Sequence, residues 1–142
     1  MSAEILNTGT MELPTLGTVA LVADSGGEYC GVSIYQLVNN EIKLVGTINC
    51  GADMVKDATY TVTNKNENTA IINAKINNET ISREFEMSTT IANTSIIDIF
   101  NFGKVVLISE TEGENSKTQV YRLSKDYTTG KITEIKNVGS IQ

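Results

Sequence analysis

Three features of the sequence predict an all-β fold of antiparallel hairpins with little or no helix. The apolar residues are chiefly Ile and Val, Thr and Asn are abundant, Trp is absent and aromatics make up only 6%. Ile, Val, Thr and Tyr suit a pleated, half-buried surface, and Asn suits the turns between strands. Apolar and polar residues also alternate along several short stretches, the period of a strand with one covered face. Finally, a segment recurs: GTVALVADSGGEYCGVSIYQLV at Gly17–Val38 aligns without a gap with GKVVLISETEGENSKTQVYRLS at Gly103–Ser124, 86 positions later. Gly17/Gly103, Val19/Val105, Leu21/Leu107, Gly27/Gly113, Glu28/Glu114, Tyr35/Tyr121 and Leu37/Leu123 are identical. Matched Gly turns and matched Tyr-x-Leu strands mark a repeated β unit.

The strands are justified in chain order. Residues 1–16 have no clean period and carry the only proline, Pro14. They read as an N-terminal arm, lying on its own domain or exchanged with a neighbouring subunit. Residues 17–142 form a single β-rich domain. Thr18–Ala23 is an almost continuous apolar run, which predicts a strand covered on both faces. After the Asp24-Ser25-Gly26-Gly27 turn, Tyr29–Val38 alternates, with Tyr35 and Leu37 on one face and Ile34 and Val38 on the other. Asn39-Asn40 can occupy the positive-φ positions of a type I′ turn. Glu41–Asn49 then returns, with Leu37 opposite Ile42, Tyr35 opposite Leu44 and Cys30 opposite Asn49.

Cys50–Asp57 is read as including a short helical turn, and Thr59–Thr63 as a strand. Thr69–Ile76 and Thr80–Ser88 form a second hairpin around Asn77-Asn78, with Arg83 at the rim of an apolar row. Ser88–Ser95 reads as a loop. Ile96–Phe102 is the densest hydrophobic patch, a core strand or, alternatively, a subunit interface carried by Ile96, Ile97, Ile99, Phe100 and Phe102. Lys104–Ser109 repeats the buried opening strand. Gln119–Lys125 and Lys131–Lys136 make a last hairpin closed by Gly130 in the left-handed region. Val138-Gly139-Ser140-Ile141 echoes Val45-Gly46-Thr47-Ile48. With Thr59–Ser88 as a degenerate copy, the chain divides into about three units of about 40 residues, packed as a β-sandwich or a barrel. VSIYQLVNNEIKLVGTI, and more faintly VYRLSKDYTTGKITEI, resembles the hairpin of a β-propeller blade. Three units are too few to close a propeller, so a trefoil-like barrel or a sandwich fits the length better.

Composition bounds the function. At 142 residues, 40% of them hydrophobic, the chain is one globular domain with a real core. A net charge of −6 with no Lys/Arg cluster argues against nucleic acid and against an anionic membrane surface. The segment MSAEILNTGT lacks the basic and apolar regions of a signal peptide, so a protein made in the cytoplasm is expected. Cys30 and Cys50 are expected to be free thiols rather than a disulfide framework.

Histidine is absent, which removes Ser-His-Asp and Cys-His nucleophile systems and His-ligated zinc. No phosphate-binding glycine loop occurs. Carboxylates are what remains: Asp24 and Glu28 in the first acidic turn, and Glu110, Glu112 and Glu114 in its repeat. They could hold Ca²⁺ or run glycoside hydrolysis, but their spacing matches no EF-hand, and solvated turns are the favoured reading. Tyr35 and Tyr121 could stack on a sugar, although core aromatics are favoured. The expectation is a non-enzymatic structural or assembly protein with protein partners, a homo-oligomer or part of a larger assembly, needing no cofactor. Within that class a virion component is expected, such as a phage capsid-decoration or head–tail accessory protein. A carbohydrate- or ligand-binding module is the alternative.

Overall fold

The computed structural model describes residues 4–13, 17–26, 29–49, 51, 53–99, 103–111 and 117–142, and the side chains of all of these except 4–7, 24–26, 29 and 30. Strands β1 (Glu4–Leu13), β2 (Gly17–Gly26), β3 (Tyr29–Val38) and β4 (Glu41–Asn49) form a first antiparallel meander. Strands β5 (Thr59–Asn64), β6 (Thr69–Ile76) and β7 (Glu79–Glu86) form a separate three-stranded sheet. Strands β8 (Ile91–Ile99), β9 (Gly103–Glu110), β10 (Lys117–Lys125) and β11 (Ile132–Ile141) form a second meander. The two meanders join through β4 and β11 into one antiparallel sheet in the order β1-β2-β3-β4-β11-β10-β9-β8. The all-β, antiparallel architecture is the one the sequence predicts, and no helix occurs among the described residues. Residues 4–13, most of the expected arm, are hydrogen-bonded to β2 of the same chain as an edge strand.

The turn chemistry acts as expected. Asn39 and Asn40 take φ values of 52° and 65°, the pattern of a type I′ turn, and set Leu37 opposite Ile42 and Tyr35 opposite Leu44. Gly130 closes the β10–β11 loop with φ 75°. Beyond Tyr35 the expected register fails. Ile34 pairs with Gly46, Val45 is left as a bulge, and Gly31 rather than Cys30 faces Asn49. A bulge inserts one residue and re-aims the strand. Here it turns Val45 toward the core and lays Gly46 against β11, where a Cβ would fall on the carbonyl oxygen of Ser140.

The equivalence of the two meanders extends beyond the 22-residue repeat, broken by a further register shift at Leu123/Lys125 beside the β10–β11 loop. The bulge at Ile34/Tyr35 recurs at Val120/Tyr121, and the register shift at Ile5/Asn7 recurs at Ile91/Asn93. After the longer β10–β11 loop the offset changes, and EIKLVGTI at Glu41–Ile48 matches EIKNVGSI at Glu134–Ile141. The seam obeys the same pseudo-two-fold relation: Ile48 pairs with Gly139, Thr47 with Ser140 and Gly46 with Ile141. Gly139 mirrors Gly46, because a Cβ there would fall on the carbonyl oxygen of Thr47. The three units are thus unequal: two four-stranded meanders share one sheet, and the middle unit builds the small one.

The sheet curls around a first core. Leu13, Val19, Leu21, Ile34 and Ile48 from the first meander meet Ile99, Val105, Leu107, Val120 and Ile141, their equivalents in the second. A second core lies on the outer face of the second meander. There Val106, Ile108, Tyr121, Leu123 and Ile135 are covered by Tyr60, Ala70, Ile72 and Ala74 of the small sheet, and by Val55 and Ala58 of the segment leading into it. This is a sandwich over half of the sheet.

Three local expectations are corrected. The stretch expected as a loop at Ser88–Ser95 is already strand from Ile91, because β9 offers it a free edge to pair with. In the segment after Gly51, Met54 N–H donates to Gly51 O at 3.1 Å and Met54 bridges to Ser124, and none of its described residues is helical. The opening strand was expected to be covered on both faces; in β2, Val19, Leu21 and Ala23 are buried while Thr18 is exposed and Ala20 and Val22 are half-buried. In its copy β9, every residue from Val105 to Glu110 is buried. Cys50, Glu28, Glu112, Glu114, Phe100 and Phe102 lie outside the described residues, as do the side chains of Asp24 and Cys30.

Candidate functional site

Of the acidic-turn carboxylates, Glu110 is the one whose side chain is described, and it serves the fold. It is nearly fully buried at the end of β9. Its Oε1 accepts from Ser88 N–H and Ser88 Oγ, both at 2.8 Å, and from Thr89 N–H at 3.3 Å. Its Oε2 accepts from Gln119 Nε2 at 3.2 Å. Burial pushes this carboxyl up, but the bonds from Gln119, Ser88 and Thr89 outweigh it and hold the group below its ordinary value. The carboxylate ties the β7–β8 connection to β9 and β10. Among the described residues no three of His, Cys, Asp and Glu gather in a way that could hold a metal ion.

A second polar cluster was not anticipated from the sequence. Arg122 on β10 is fully buried and faces inward between Tyr121 and Leu123, which face out. Its Nη2 donates to Asp53 Oδ1 at 2.9 Å, its Nε to Asn49 O at 3.1 Å and its Nη1 to Ser124 Oγ at 2.9 Å. Lys136 Nζ bonds the other oxygen of Asp53. Burial raises the Asp53 carboxyl, yet the Lys136 and Arg122 bonds and charges bring it below the usual carboxylate range. The cluster pins the segment linking β4 to β5 against the sheet. Its equivalents in the first meander are Gln36 and Lys43, across from each other on β3 and β4. The signal for it was weak, since Asp53 lies 69 positions from Arg122.

The tyrosines divide in the same way. Tyr121 is buried, with its ring centroid 4.3 Å from that of Phe85 and its hydroxyl 3.7 Å from Met87 Sδ. Tyr35, its equivalent, is half-buried on the outer face of the first meander. Arg83 closes the rim of the second core. It lies 4.9 Å over the Phe85 ring, and its Nη1 donates to Ile135 O at 2.7 Å. In the dense hydrophobic patch, Ile99 is fully buried in the first core, Ile97 packs against it, and Ile96 faces outward, partly exposed.

Among the described residues, the outer face of the first meander holds large apolar side chains that the chain leaves exposed. Leu37 is 68% exposed, Ile42 78% and Leu44 53%, whereas Leu123 and Ile135, equivalent to Leu37 and Ile42, are 0% exposed. Tyr35, Ala20 and Val22 extend this face across β3 and β2. Beside Leu44 an open groove of about 490 Å³ runs along the β4–β11 seam, lined by Thr47 and Ser140 and by Gly46 and Gly139. The pseudo-two-fold relation makes the contrast quantitative, because burying one Leu or Ile side chain contributes about 1.5–3 kcal/mol. The second meander gains that at both positions and the first at neither. In comparisons with known proteins, no protein-family model, no curated protein and no solved structure matches the chain.

Proposed function

We propose that this protein is a non-enzymatic structural subunit that works by presenting sheet surface to protein partners. One observation carries the reading: Leu37, Ile42 and Leu44 stand exposed together on a face whose counterpart in the same sheet is covered. Contiguous apolar surface of this kind marks an interaction site in a soluble chain. The charges drawn into the structure point the same way, since buried Glu110 and Arg122 and half-buried Asp53 are each engaged in holding connections to the sheet. Each catalytic system that needs a histidine lacks one. Within this class the narrower reading is a virion accessory component, supported by a small, acidic, Thr/Asn/Ile-rich β domain and by analogy alone. Light-scattering mass at high concentration, combined with co-sedimentation with particles from the same source, tests both. Oligomerisation or particle binding is expected, and a strict monomer with no affinity for any assembly contradicts the proposal.

A further inference from the structure

We infer that the outer face of the first meander docks a second copy of this chain, face to face and about a two-fold axis. The inference rests on the assembly reading above and names its partner. An apolar face needs an apolar partner, so the question is which apolar faces a second copy can offer. The inner face of the large sheet is filled by the first core, and the outer face of the second meander by the small sheet. The outward side of the small sheet is polar, with Thr61, Asn73 and Ser82 in one cross-strand row and Thr59, Lys75 and Thr80 in the next. Among the described residues the face around Leu37, Ile42 and Leu44 is where three large apolar side chains stand more than half exposed together, against a single Ile96 on β8 and Tyr127 in the β10–β11 loop. A patch that can pair only with itself makes an isologous contact, and such a contact closes as a dimer instead of growing into a fibre.

Charge and size agree with this occupant. Two copies that each carry a net charge of −6 repel, so they meet best where carboxylates are sparse. Among residues whose side chains are described, Glu12 on the edge strand β1 is the charge on this face. Glu41 and Lys43 alternate to the inner side. Four strands about 4.8 Å apart, with about eight residues each rising about 3.3 Å, offer roughly 500 Å² per copy. Roughly 1,000 Å² over both copies is the lower bound of a specific interface, and a reversible dimer follows. The molecule already contains the chemistry of such a packing. On the second meander, a sheet of three strands bearing Ala70, Ile72 and Ala74 covers Leu123 and Ile135.

Sedimentation velocity and light scattering of the full chain, from about 1 to about 500 μM, test the inference in the range where small interfaces associate. The mass is expected to rise toward twice 15.4 kDa. Leu37→Lys and Ile42→Lys, at positions exposed within one chain, are expected to keep the wild-type circular dichroism and melting curve. Both should weaken association by at least roughly tenfold, because a charge would enter an apolar contact. Thr61→Lys, on the outward side of the small sheet, should leave the dimer intact. A mass of 15.4 kDa at every concentration overturns the inference, as does a dimer that Leu37→Lys and Ile42→Lys do not weaken. In the second case the assembly reading survives with a different surface. It also survives if a monomeric chain binds particles from its own source. A monomer with no such affinity ends both.

Discussion

Glu110 and Asp53 show how residue types that suggested chemistry are used for holding connections in place. Both carboxyls sit below their ordinary values in the folded state, because donors and cations outweigh the desolvation that pushes them up. The sign of the linkage follows. Their stabilisation is present above the unfolded carboxylate value of about 4 and is lost as pH falls through the lower folded values. Urea unfolding between about pH 6 and pH 2 should therefore show stability falling on the acid side, and Asp53→Asn and Glu110→Gln should each flatten that limb. Gly46 and Gly139 make the second residue-scale case. A Cβ at either would meet backbone of the strand across the seam, which cannot move without opening the sheet. Gly139→Ala is expected to cost about 1–3 kcal/mol by denaturant midpoint, the magnitude of an overpacked core. None of these roles is visible locally. The carboxylates looked alike in the sequence, and what separates Glu110 is Ser88, 22 positions away.

At the scale of elements the sequence is most legible where one local rule decides. Alternation marked the strands, and Asn39-Asn40 set both the turn and the first cross-strand pairs of the β3–β4 hairpin. Legibility stopped at Val45, because that bulge answers to the seam with β11 and not to anything within the hairpin. It stopped again at β8, where polar residues such as Asn93 and Thr94 read as loop but pair along an open sheet edge. The hairpins also provide an internal control for packing. Leu123→Ala should cost about 2–5 kcal/mol, because its side chain is wholly enclosed by the second core. Leu37→Ala, at the equivalent exposed position, should lie within about 0.5 kcal/mol of wild type at concentrations where the chain is monomeric. Equal costs at the two positions would contradict the account of one covered and one open meander.

The whole molecule is a duplicated sheet with a single lid. The repeat was legible over 22 residues but its extent was not, because the longer β10–β11 loop shifts the offset and hides the match between Glu41–Ile48 and Glu134–Ile141. Nor could the sequence show that the middle unit would fold over one meander and leave its twin bare. That asymmetry follows from where β5–β7 pack, and it turns identical residues, Leu37 and Leu123, into surface and core. On the proposed reading, function at this scale is the completion of the uncovered half by another chain. Isotope-filtered NMR on an equal mixture of labelled and unlabelled protein at high concentration tests that claim most directly. The account predicts intermolecular contacts among the Leu37, Ile42 and Leu44 methyl groups and none from Leu123 or Ile135. An absence of intermolecular contacts at Leu37, Ile42 and Leu44 would contradict it.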